Sequence, residues 1–139
     1  MTSTFEAEVA DWVRKVQGAE RMIFQEAAQE LVSQLNALVP VDTGFLRASL
    51  RASTTTMPVM SLNNPGAGVF NLDAGEITLV IAGADIGDTI YLGYTANYGA
   101  YVHAGANGRV GRPWVAMVAQ RWQQIVNEKA AEVRSRLGL

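Results

Sequence analysis

The stretch from Val39 to Leu50, Val-Pro-Val-Asp-Thr-Gly-Phe-Leu-Arg-Ala-Ser-Leu, constrains the fold more than any other part of the chain. Before it, apolar residues recur with the period of a helix. After it, they alternate with the period of a strand. Pro40 cannot continue a helix, and it biases Val39 towards extended angles. Asp42 and Thr43 have side chains able to bond neighbouring backbone amides, and Gly44 accepts a positive φ, so Asp-Thr-Gly reads as a tight turn. Arg47, Ser49 and Arg51 then alternate with Leu46, Ala48 and Leu50, which predicts a strand over 46–56.

Upstream of the turn, Phe5, Val9, Trp12, Val13, Val16, Ile23, Phe24, Ala27, Leu31, Leu35 and Leu38 form one helical stripe. It predicts a helix over about residues 4–38, roughly 50 Å long. Ser3 and Glu6 fit a capping box at its start, and Gly18 is a place where it would bend or divide. A helix of this length projects past one small domain, and its free end needs a partner.

Downstream, residues 57–75 have loop composition but carry Met57, Val59, Met60, Leu62, Val69, Phe70 and Leu72. Disordered segments rarely hold so many large apolar groups. The segment reads as an arm ordered against a neighbouring subunit or as a flap on its own domain. Glu76–Gly83 is rich in β-branched residues and predicts a strand, with 89–94 returning as another, so an antiparallel meander is the simplest pairing. Tyr98, Tyr101 and Val102 suit one helical turn beneath it, burying rings while keeping polar tips wet. Residues 106–112 are a glycine-rich loop without the Gly-Lys-Ser/Thr ending of a phosphate loop. Pro113 suits the first position of a final helix running to Gly138, with Trp114, Val118, Trp122, Ile125, Val126, Val133 and Leu137 on one face.

The chain's 139 residues make one domain. Charged residues are 17% of it, low for a solitary soluble domain and suited to a surface covered by partners. The charges are segregated. Residues 1–45 hold seven acidic and three basic side chains, net −4, whereas residues 104–139 hold six basic and two acidic, net +4. The basic end faces either the acidic end, within or between copies, or a nucleic acid. Cysteine is absent, which excludes a disulfide framework and thiolate chemistry. The single histidine, His103, has no Cys or second His to complete a zinc site, and no nucleophile stands near it in sequence. No cofactor is expected. An acidic N-terminus and the lack of a 20-residue apolar run point to no leader and no membrane span, so a cytoplasmic site of synthesis is expected.

Asp-Thr-Gly is also the catalytic triplet of aspartic proteases, in which two close carboxylates share a proton. A short chain would supply one such Asp42 per subunit of a dimer. In those enzymes the triplet ends a buried apolar strand and precedes a small residue. Here Pro40 stands two residues before Asp42, and Phe45 follows Gly44.

Three pieces in order carry a resemblance: Pro-Val-Asp-Thr-Gly-x-Leu-Arg-x-Ser from Pro40, Tyr-x-x-Tyr-Val-x-x-Gly from Tyr98, and Arg-Pro-Trp from Arg112. With their flanking helices they resemble the tail-completion, or head–tail joining, proteins of long-tailed bacteriophages and phage-like gene transfer agents. The chain departs from the usual family pattern at His103, at Trp114 and in the length of 57–75. The resemblance implies an α+β fold: a long N-terminal helix, a small antiparallel sheet of about three to four strands, and a C-terminal helix packed on the sheet. It implies a non-enzymatic virion protein of the neck, assembled in the bacterial cytoplasm. Copies would form a ring, expected to be hexameric, between a portal-side connector and the tail terminator or tail tube, with DNA passing through the channel. Asp42, Arg47, Phe70, Tyr98, Tyr101, His103, Arg109 and Arg112 are the candidate interface residues. A dimeric protease using Asp42 and a small nucleic-acid-binding module are the alternatives.

Overall fold

The computed structural model describes residues 4–139, so the expected Ser3 cap lies outside the described residues. Thr4 caps the first helix instead, its Oγ1 accepting from the Ala7 amide at 3.1 Å. Helix α1 (Phe5–Leu38) then runs for 34 residues, unbroken through Gly18. It ends where Val39 turns extended, at ψ 134°, as the following proline requires.

The chain then departs from the sequence expectation. Phe45–Ala48 is one helical turn, α2, and only Leu50–Ser53 is strand, β1. Gly44 stands before α2 with φ 89°, and a Cβ there would lie 2.5 Å from the Phe70 carbonyl oxygen. Only glycine fits that position. Strand β2 (Tyr91–Tyr94) pairs antiparallel with β1, Leu50 opposite Tyr94 and Ser53 opposite Tyr91.

The expected strand at 76–83 is a helix, α3 (Ala74–Gly83). Asp73 accepts from the Glu76 amide at 3.3 Å, so Asp73-x-x-Glu76 starts a helix and outweighs the β-branched composition. Its burial pattern agrees. Ile77 and Ile81 are buried one turn apart, while Leu79, which would share their face in a strand, is 75% exposed. No three-stranded meander forms among the described residues. The sheet component is two separate two-stranded ribbons, β1–β2 and a small hairpin.

After β2, helix α4 (Gly99–Ala104) holds Tyr101 and Val102, with Tyr98 at its cap. The hairpin β3 (Gly105–Ala106) and β4 (Arg109–Val110) follows, turning at Asn107 and Gly108, both with positive φ. Such an Asn-Gly pair matches the twist of a two-residue hairpin. Pro113 is the cap of α5 (Trp114–Ala119) rather than its first residue. A tight bend at Gln120–Arg121, where the Arg121 amide bonds the Val118 carbonyl at 2.9 Å, leads into α6 (Trp122–Leu137). Gly138 closes α6 with φ 69°.

The α+β class holds. Trp114 of α5 meets β2 through an edge-on contact with Tyr94, ring centroids 5.2 Å apart. Helix α6, however, lies antiparallel along α1 rather than on the sheet. Arg136 forks onto Glu26 at 2.9 and 3.0 Å, and Arg121 donates to Gln34 at 3.2 Å. Part of the basic C-terminal charge thus meets the acidic helix within one molecule. The central core comprises Val32 and Leu35 of α1 with Leu46, Leu50, Ile77, Ile81, Tyr94, Trp114 and Val118. Every element except α6 and the hairpin contributes to it or packs against it.

Candidate functional site

A cleft of about 700 Å³ opens where α1 ends. One wall is the Asp-Thr-Gly turn, from Pro40 to Leu46. The opposite wall is Tyr98, Tyr101 and the hairpin from Ala106 to Arg112. The cleft joins the 40–46 turn to the 98–112 stretch, and it takes in residues of the first two resemblance pieces together with Arg112 of the third.

The floor is aromatic. Phe45 lies edge-on to Phe70 at 5.2 Å and stacks on Tyr98 at 6.3 Å. Phe70 is held by its own amide, which donates to the Thr43 carbonyl at 3.1 Å. Burial pushes the Tyr98 phenol above its ordinary pKa, a hydrogen bond with the Leu46 backbone draws it down, and the Asp42 carboxylate adds to the rise.

The rim is charged and apolar together. Arg109 and Arg112 are exposed and make no salt bridge among the described residues. Between them Val110 is 92% exposed, and Tyr101 on the same wall is 64% exposed. The Arg112 amide donates to the Val102 carbonyl at 2.9 Å, which fixes the hairpin against α4.

Five of the eight candidate residues line this cleft: Asp42, Tyr98, Tyr101, Arg109 and Arg112. Phe70 stands just behind it, against Phe45. Arg47 lies on α2 beside the turn, with Nη2 3.8 Å from where a Gly44 Cβ would be. His103 is elsewhere. Its Nε2 accepts the Ala116 amide at 3.3 Å and its ring packs edge-on against Trp114 at 5.5 Å. It ties α4 to α5 and is not a surface group of the cleft.

The turn itself works through Thr43, whose Oγ1 accepts from the Phe45 amide at 3.3 Å. The Asp42 side chain makes no hydrogen bond among the described residues and sits exposed on an open turn that follows a helix. The setting of a protease triplet, at the end of a buried strand, is not found. No group of three His, Cys, Asp or Glu side chains comes together as a metal site among the described residues. None of their helices is long and apolar enough to cross a membrane.

The segment 57–73 is strapped to its own domain. The Ser61 and Leu62 amides bond the Thr95 carbonyl at 3.0 and 2.8 Å, and the Asn97 amide bonds the Leu62 carbonyl at 2.8 Å. Its outer face stays apolar, with Val59 72% and Val69 85% exposed. The segment is a flap on its own domain with an apolar outer face.

Sequence reasoning missed Val110 and Val41 as cleft residues. A lone valine between two arginines in a glycine-rich loop was the available signal. Comparison with protein-family models, with curated proteins and with solved structures finds no match.

Proposed function

We propose that this chain is a structural subunit of a phage or phage-like virion neck, one of a ring of copies joining the DNA-filled head to the tail. The motif resemblance gives the class of particle. The observation that carries the reading is the free end of α1. Residues 5–18 contain no buried side chain, yet they present Phe5 at 78% and Trp12 at 62% exposure. Residues 5–13 make roughly 13 Å of exposed helix before Arg14, Gln17 and Gly18 border a groove shared with Asp85 and Ile86. Large aromatic side chains on an unsupported helix are a contact surface in search of a neighbour. Low overall charge and the exposed valines of the flap and hairpin point the same way. A ring places such surfaces against neighbouring copies, the portal-side connector on one face and the tail on the other.

The test is electron microscopy of particles made after the gene is deleted from its source genome. Full heads beside detached tails are the expected outcome. Normally tailed particles would overturn the neck role. Unprocessed, immature heads would move the assignment to a protease.

A further inference from the structure

We propose that the apolar stripe at the free end of α1 docks, head to tail, into the Asp-Thr-Gly cleft of a second copy of this chain. The stripe is Phe5, Val9, Trp12 and Val13, between 38% and 78% exposed. At about 100° per residue these four share one helix face, with Glu6 and Glu8 on its two flanks. Asp11 falls away from that face and is paired with Arg14. The stripe is therefore an apolar strip with acidic edges.

The cleft is its complement. Val110, Tyr101 and Val41 are 92%, 64% and 52% exposed around it, and Arg109 and Arg112 stand on its rim. Apolar surface meets apolar surface, and guanidinium groups meet carboxylates, neither of them in a salt bridge among the described residues. A volume of about 700 Å³ accommodates large aromatic side chains. A second groove, of about 340 Å³, is lined by Leu31, Leu92, Val115, Trp122 and other apolar residues alone. It offers nothing to match Glu6 and Glu8.

If this stripe is the occupant, it comes from another copy. Stripe and cleft lie at opposite ends of the same helix, and Val13 is separated from Pro40 by roughly 40 Å of rigid helix. A chain cannot fill its own cleft. A contact between two different patches is heterologous, so it repeats from copy to copy and gives a ring where the rotation closes and a filament where it does not. This gives the ring proposed above its interface, and it rests on that reading only for its closure.

Because the chain has no cysteine, engineered thiols report cleanly. Val13→Cys and Val110→Cys are placed in one chain, both at exposed positions, and the purified protein is oxidised. The expected product on a denaturing gel is a ladder of dimers, trimers and higher species, about tenfold above either single variant. Arg109→Glu with Arg112→Glu in that background should cut the ladder about tenfold, and adding Glu6→Lys with Glu8→Lys should restore it. Dimers from Val13→Cys alone at the same yield would mean stripe meets stripe and would overturn the proposal. So would a ladder that forms only when the second thiol is Val115→Cys, a charge reversal without effect, or no ladder at all. The purified chain alone is used, so a missing ladder refutes this contact and leaves head–tail joining to the particles. A ladder beside normally tailed particles would keep the contact and lose the neck role.

Discussion

The two halves of α1 have the same apolar period and opposite surroundings. From Ala19 onward its inner face is covered by α5, α6 and the central core, with Ala27 fully buried and Leu35 5% exposed. From Phe5 to Val13 the same stripe continues into solvent. Periodicity reports which face of a helix is apolar and says nothing of what covers it. The difference separates two kinds of work. The C-terminal half holds the domain together, and the N-terminal half is available to something outside it.

The comparison breaks if the halves respond alike to truncation. Leu35→Ala removes a buried side chain from the inner half and should lower unfolding free energy by about 2–4 kcal/mol in urea titration. A loss below about 1 kcal/mol would mean that α1 is not a core element there.

Among the described residues, one large pKa shift lies in the central core that the inner half of α1 helps to build, at Tyr94 of β2. Burial pushes the Tyr94 phenol up to about 12, against an ordinary 10. The Trp114 indole nearby draws it back slightly, although neither Tyr94 Oη nor Trp114 Nε1 makes a hydrogen bond of normal geometry. Between those two pH values the unfolded chain releases a proton that the folded chain retains. Stability is therefore untouched by this group below pH 10 and falls as pH rises to 12, by roughly 2–3 kcal/mol. Tyr94→Phe should flatten that alkaline loss in thermal melts while costing little at neutral pH, because its hydroxyl has no partner to lose.

The smallest effect on folding belongs to the outer half. Trp12→Ala should change the stability of the isolated chain by less than about 0.5 kcal/mol. The same variant should weaken self-association, read as a fall in mass by light scattering at matched concentration. A large stability loss with unchanged association would reverse the assignment of the two halves.

Much of this arrangement was legible in the residues. The helix from Phe5 to Leu38 followed from a long stripe ended by Pro40, two local signals that agree. The turn at Asp42–Gly44 followed from side-chain chemistry, although Thr43 rather than Asp42 supplies the hydrogen bond. Helix α3 was hidden because Ile77, Thr78, Val80 and Ile81 resemble a strand, while the deciding signal was the Asp73-x-x-Glu76 cap just outside the run. The hairpin at Asn107–Gly108 was in plain view as a turn pair but lay inside a stretch dominated by glycine. In the cleft, Tyr98, Tyr101, Arg109 and Arg112 stood out by type. That they face Asp42 across one cavity depends on pairing between β1 and β2, 40 residues apart, and no local pattern encodes such a distance. His103 misled by its rarity. A lone histidine attracts notice as chemistry, and here it is a brace between two short helices.

Under the proposed head-to-tail contact, α1 would be a ruler as well as a scaffold. Its 34 residues span roughly 51 Å, and in such an assembly that span would set the separation between one subunit's cleft and the next. The diameter of an assembly built this way is written in helix length rather than in the shape of the domain. Two added turns between Val13 and Ala19, about seven residues, would preserve the phase of the stripe to within roughly 20° and widen the ring. Two or five added residues would swing Trp12 to the wrong side and leave a well-folded subunit that cannot close a circle.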